Sequence, residues 1–197
     1  MGPVRRFAVV GHHAPTSPDF SLEDLAGSAG RLDILVRCVT AALHVSHGLR
    51  RDTAITLLLQ GPPGVPRALR FIGSELRGLN PDERSTAARI RNALEYEGRL
   101  EREVSPGLHA GAFTLAEFVQ NGSPLLVLDE QGKDIRDLAF PPEPTFLLSD
   151  HEGLTDAERA IAGGPGALAV SVGPKSLHAD QVITLVHNEL DRRGHGS

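Results

Sequence analysis

Apolar residues fall along this chain in two rhythms. In the first they form short unbroken runs: the apolar part of Val4–Val10 (VRRFAVV), then Thr53–Leu59 (TAITLLL), Leu125–Leu128, Thr145–Leu148 and Ala167–Val170. A run without polar alternation predicts a strand covered on both faces. Arg67–Ile72 (RALRFI) is the predicted partner of Thr53–Leu59. In the second rhythm apolar residues recur three and four apart. Leu32, Leu35, Val36, Val39, Leu43 and Val45 predict a helix over Arg31–His47, ended by Gly48. Leu177, Ile183, Leu185, Val186 and Leu190 predict another, running to Asp191.

Punctuation residues place the shorter elements. Thr155, with Glu158 three residues on, predicts a capping box, and Gly163, Gly164 and Gly166 break the helix that follows. Asn80 reads as an N-cap with Pro81 at the first helical position, for a helix to about Tyr96. A turn of helix is expected at Ser21–Leu25 and a short helix at Thr114–Val119. Glu97–Phe113 reads as irregular around Ser105-Pro106-Gly107, and Asp129–Gly132 as a turn. With strands and helices alternating and no repeat or long linker, the 197 residues predict one α/β domain with a mostly parallel sheet.

Composition narrows the class. The chain is 40% hydrophobic but only 4% aromatic, so its core is expected to be Leu, Val, Ala and Ile. A single cysteine, Cys38, excludes an internal disulfide and a Cys-rich zinc site. No run approaches the length of a membrane helix. The N-terminus does not read as a signal peptide, and a cytoplasmic protein with no membrane partner is expected. The net charge of −5 argues against a nucleic-acid binder, but its distribution does not. Residues 1–102 hold 14 Arg against 11 acidic residues, and residues 103–197 hold 6 basic against 14 acidic. Arginine suits bidentate phosphate contact. The excess therefore reads either as a polyanion-binding face or as the compositional bias of a GC-rich genome.

The known nucleotide-binding and hydrolase signatures are missing: no P-loop, no GxGxxG after the first strand, no GxSxG and no HExxH. His12 and His13 are adjacent, but no third ligand is near in sequence, and no metal is expected. His44 and His47 stand one turn apart on the predicted helix. Two features remain. Three apolar runs ending near Leu128, Leu148 and Val170 each open into a loop of Ser, Gly and Asp, where α/β proteins place ligands. The other feature is the Gly30-Arg31-Leu32-Asp33 helix start, a place for an anion to meet backbone N–H groups.

The blocks GRLDILVRCV (30–39), FIGSEL and LNPDERS (71–76, 79–85), SDHEG (149–153) and SVGPKSLHADQVITLVHNELD (171–191) resemble the archaeal tRNA pseudouridine N1-methyltransferases of the SPOUT superfamily, which act at position 54 of the T-loop. The resemblance spans almost the whole chain. It implies a SPOUT fold with a C-terminal deep trefoil knot over residues 124–191, S-adenosylmethionine as cofactor, tRNA as partner, and a homodimer. Carried over by position, it assigns the cofactor to Leu128, Ser149, Asp150, Gly153, Ser171, Val172, Gly173, Pro174, Leu177, His178 and Val182. It makes Asp33 and Arg31 the catalytic candidates, Asp33 as acceptor for a ring N–H of the base. Arg37, Arg50, Arg51, Glu75 and Arg84 are the candidates for holding RNA. This chain has Ser149 where many members have Gly, and Val182 where many have Cys. It has His109-Ala110 in a region where members have a basic pair. The sequence leaves two alternatives: a SPOUT methyltransferase with another RNA target, or a non-catalytic RNA-binding relative.

Overall fold

A computed structural model describes residues 5–120, 122 and 125–194. The start of the predicted first strand at Val4, and of the predicted knot region at residue 124, lie outside the described residues. The unbroken apolar runs form the centre of an eight-stranded sheet. β1 (Arg5–Gly11) pairs in parallel with β4 (Thr53–Leu59), with Phe7 beside Ile55 and Val9 beside Leu57. The hairpin of β2 (His44–Val45) and β3 (Gly48–Leu49) stands apart from it. β5 (Arg67–Ile72) returns antiparallel on β4. β6 (Arg102–Ser105) and β7 (Leu108–Gly111) form an antiparallel hairpin at that edge. On the other side of β1, the sheet continues in parallel through β9 (Thr145–Ser149), β8 (Leu125–Asp134) and β10 (Leu168–Ser171), giving the order β10-β8-β9-β1-β4-β5-β7-β6.

Helices cover both faces, which is why the inner strands carry no polar alternation. Phe7, Val9, Leu57, Phe71, Phe146 and Val170 share one core with α1 (Leu32–Leu43), α2 (Glu83–Leu94) and α5 (Ala179–Arg192). Ala8, Val10, Leu58, Leu125 and Leu147 share the other with α3 (Leu115–Gln120) and α4 (Asp156–Ala162). Each fully buried Leu or Phe here contributes about 1.5–3 kcal/mol of transfer free energy.

Several boundaries differ from the sequence expectation, each for a local reason. The helix over Arg31–His47 stops at Leu43, because His44 turns extended (ψ 140°) and starts the β2–β3 hairpin. His44 and His47 therefore share no helical face, and His44 Nε2 lies 3.2 Å from the Leu79 carbonyl oxygen. Ser21–Leu25 is a turn and not a helix: the Asp24 carboxylate accepts from the backbone of Gly27 (2.8 Å) and Ser28 (3.0 Å), competing with helical bonding. The N-cap of α2 is Asp82, not Asn80; its carboxylate accepts from Ser85 N at 2.7 Å. Glu97–Phe113 contains the β6–β7 hairpin, whose turn needs Gly107 at φ +73°. Asp129–Gly132 lies within β8, where the register slips so that Val127 pairs with Ala169 but Lys133 with Val170. The helix after Thr155 has the predicted capping box.

α5 is fastened across the amino ends of the parallel strands. Asp191 accepts from Arg5 (2.5 Å) and from Arg50 (2.6 and 3.0 Å), and Arg5 also meets Asp52 at 2.9 Å. Buried His187 stands between them: Arg5 Nη1 donates to its Nδ1 at 3.3 Å, and its Nε2–H donates to the Ala42 carbonyl at 3.0 Å. Those partners require a neutral ring. Burial, with Arg50 and Arg5 beside it, brings the His187 pKa down to about 4. The folded value lies below the unfolded value of about 6.5, so this stabilisation is complete above pH ~6.5 and is lost as pH falls through about 4, a swing of about 3 kcal/mol. Denaturant titrations between pH 4 and 7 should show this slope in the wild type. In His187→Gln, the rise in stability across the same range should shrink by that amount. An unchanged slope would rule out a neutral His187.

Candidate functional site

The middle of β8, at residues 128–130, and the carboxyl ends of β9 and β10 open onto one cavity of about 520 Å³. Ile34 of α1 and Val182 of α5 close it, and Leu128, Leu148 and Val172 complete an apolar wall. Of the residues expected at a cofactor site, the structure brings Leu128, Ser149, Asp150, Gly153, Ser171, Val172, Gly173, Leu177, His178 and Val182 to this cavity; Pro174 sits in the same loop but does not line it. Gly153 (φ +77°) and Gly173 (φ +155°) turn these loops, and a Cβ at either would point into open space, so bare backbone edges the cavity. The loop after β10 is closed locally: Ser171 Oγ accepts from Gly173 N at 3.2 Å and donates to Gly173 O at 2.8 Å. At the start of α5, His178 N donates to Gln181 Oε1 at 3.1 Å.

Asp150 sets the shape of the loop after β9. Its side chain is 1% exposed and turned into the protein. One oxygen accepts from His12 N at 2.8 Å; the other accepts from Glu152 N at 3.1 Å and lies 2.8 Å from His12 Nδ1. His12 Nε2 lies 2.9 Å from Glu158, whose same oxygen accepts from Thr155 N and Oγ1 at the cap of α4. Burial lowers the His12 pKa, but the bonds to Glu158 and Asp150 outweigh it and leave the ring above its ordinary value. Burial raises Glu158, and the His12 and Thr155 bonds bring it below its ordinary value. The outer pair His13–Glu152, at 2.9 Å, is solvent-exposed. Sequence reasoning weighed His12 only as a metal ligand and Glu158 only as a cap. The available signal was position: a histidine directly after a buried parallel strand stands at the ligand end of the sheet.

Asp33 and Arg31 lie at the first turn of α1, the end nearest the cavity. Arg31 takes the left-handed conformation (φ 61°), and the preceding Gly30 (φ +53°) packs against the His13 carbonyl. Arg31 grips Asp33 with two bonds (3.0 and 3.2 Å) and Arg37 adds a third (2.8 Å). Burial raises the Asp33 pKa; the Arg31 and Arg37 bonds outweigh it and hold the carboxyl below its ordinary value. Asp33 is thus an ionised, fixed acceptor.

The other arginine candidates do not gather here. Arg50 is held by Asp191 at the amino ends of the strands. Arg51 donates to the Gly73 and Leu76 carbonyls at 2.8 and 2.9 Å. Glu75, also after β5, lies 3.6 Å from His109 Nε2. Arg84 makes an exposed pair with Glu23 at 2.6 Å. A second cavity, of about 450 Å³, has Arg77, Arg89 and Asn92 opposite Ser105 and Pro106; Arg77 was not among the candidates read from the sequence.

The family described as "Putative SAM-dependent RNA methyltransferase" matches residues 4–195. A tRNA (pseudouridine(54)-N(1))-methyltransferase of Methanocella arvoryzae is 46% identical over 194 residues, covering 96% of this chain and 100% of that protein. One from Haloarcula marismortui is 47% identical, covering 97% and 98%. Among solved structures, Archaeoglobus fulgidus Nep1 bound to S-adenosylhomocysteine superposes with a TM-score of 0.66 at 16% identity, covering 99% of this chain and 100% of that one, which speaks for the fold. This chain belongs to the tRNA (pseudouridine(54)-N(1))-methyltransferase family.

Proposed function

We propose that the protein is an S-adenosylmethionine-dependent tRNA methyltransferase acting on N1 of pseudouridine at position 54 of the T-loop. The observation that carries this reading is that Asp33, clamped by two arginines, stands next in sequence to Ile34 in the wall of a cavity suited to a nucleoside sulfonium. The cavity fits that cofactor on its own chemistry. Apolar Ile34, Leu128, Val172 and Val182 suit an adenine, the backbone at Gly153 and Gly173 suits its polar edge, and Glu130 suits a cation. When bound, S-adenosylmethionine supplies an electrophilic methyl group.

The chain's own residues do the rest. Leu128, Ser149, Gly153, Ser171–Leu177, His178 and Val182 hold the cofactor, while Asp150 acts from behind by shaping the loop. Asp33 accepts a hydrogen bond from a ring N–H of the base and orients it. N1–H is a donor that uridine lacks, which gives the base selectivity a physical origin. The base leaves its stack to reach this acceptor. Arg31 and Arg37 keep Asp33 ionised and offer their remaining N–H groups to RNA phosphate, with Arg84 an outlying contact. Arg50, Arg51 and Glu75 serve the protein's own fold.

The same reading makes residues 1–197 one SPOUT domain of a cytoplasmic protein, knotted over residues 124–191. It works as a homodimer through the apolar side chains exposed around α5, Leu177 and Leu185, each 39% exposed. Among the described residues no helix is long and apolar enough to cross a membrane.

With labelled S-adenosylmethionine, a tRNA transcript carrying pseudouridine at position 54 should take up label and the uridine transcript should not. Label in both would remove the base selectivity. Asp33→Asn should lower turnover a hundredfold or more while S-adenosylhomocysteine affinity, measured by calorimetry, stays within about threefold. Parallel loss of both would make Asp33 a residue of the fold.

A further inference from the structure

His12 has both ring nitrogens on carboxylate oxygens, Nδ1 on Asp150 at 2.8 Å and Nε2 on Glu158 at 2.9 Å. A carboxylate only accepts, and a neutral imidazole has one donor and one lone pair. The neutral ring would therefore set a lone pair against one of these oxygens. Only the imidazolium donates to both. Its side chain is 11% exposed, and those of Asp150 and Glu158 are 1% and 10%, so water cannot screen such a mismatch.

The charges around His12 come from every element that packs on it. The loop after β9 contributes Asp150, and α4 contributes Glu158. The start of α1 contributes Arg31, whose charge reaches Asp150. Its own strand exit carries His13, paired outward with Glu152. His151 on the β9 loop is exposed, and Arg159 on α4 is committed to Asp129. Two carboxylates thus face one ring. On losing its proton the ring would leave them as two anions across a neutral group, at the point that fixes residues 149–153.

We infer that His12 is a positioning residue, and that its proton is required for the cofactor cavity to keep its shape, so that cofactor affinity falls in alkaline solution. His12 touches no substrate; it acts through Asp150 and the backbone that Asp150 holds. The inference rests on reading the cavity as the cofactor site. A raised His12 pKa agrees with it, and fixes the sign: the charged arrangement is complete below the ordinary histidine value and is lost as pH rises through the raised one.

The test is the affinity for S-adenosylhomocysteine, by calorimetry on the full chain from pH 6 to 9. The wild type should bind with constant affinity at the acid end and lose at least tenfold at the alkaline end. Glu158→Gln supplies the control for any titration of the ligand itself. The glutamine carbonyl takes the place of the one Glu158 oxygen that both caps Thr155 and faces Nε2. The ring still needs both protons but loses an anion that favours them, so the decline should begin at lower pH. His12→Asn should bind at least tenfold more weakly at pH 6 with a flat response to His12's titration. Profiles for wild type and Glu158→Gln with one shared midpoint would overturn the inference, as would His12→Asn binding like the wild type. No binding by the wild type at any pH would instead remove the cofactor reading itself.

Discussion

A buried carboxylate must find donors or lose its charge, and Asp150 finds three within one loop's reach: His12 N, His12 Nδ1 and Glu152 N. That requirement ties the exits of β1 and β9 together. β1 and β9 are already neighbours in parallel register, and Asp150 N extends their ladder by donating to Val10 O at 2.8 Å. His12 then passes the constraint to α4 through Glu158, whose other bonds start that helix. The exit of β1 and the consecutive β9 and α4, 138 and 146 positions away, share one short hydrogen-bonded chain. The cavity lies beside it, with Asp150 and Glu152 in its lining.

The same economy explains where the arginines go. At the amino ends of the parallel strands, Arg5 and Arg50 converge on Asp191, and Arg51 fills the carbonyls of the turn after β5. These are solutions to a packing problem: α5 ends over the sheet, and its last carboxylate, brought down to about pKa 2 as the arginine bonds outweigh its burial, stays charged. At the carboxyl ends, Arg31 and Arg37 instead surround a carboxylate next to an open cavity. The positive balance of the first half of the chain thus includes arginines that pin the fold at one end of the sheet and arginines that clamp a carboxylate at the other.

This division marks the limit of what the sequence discloses. Unbroken runs such as Thr53–Leu59 announce strands buried on both faces, and the Thr155–Glu158 spacing announces a capping box, because both depend on neighbours along the chain. The β6–β7 hairpin did not announce itself: at the sheet's edge β6 has no buried residue to interrupt its charged sequence. The end of α1 at Leu43 was hidden because Val45 continues the apolar rhythm although it is 46% exposed in the hairpin. Cofactor-loop residues were legible as blocks resembling a family. His12 was not, since its meaning depends on two carboxylates 138 and 146 positions away.

Asp33 shows what such clamping does to chemistry. A general base works best with a pKa near the working pH. Arg31 and Arg37 move Asp33 the other way, below the ordinary carboxylate value. The arrangement therefore suits orientation better than proton removal: Asp33 is a charged acceptor fixed by three guanidinium bonds. On the proposed reading a ring N–H adds one donor to those the guanidiniums already supply, so a ring lacking it forfeits that hydrogen bond while Asp33 stays paired. Uridine, glycosylated at N1, lacks that donor, and pseudouridine offers it. The two guanidiniums that depress the carboxyl thus fix an acceptor while surrendering basicity, and on the proposed reading Asp33 orients the base and is a poor acceptor of its proton.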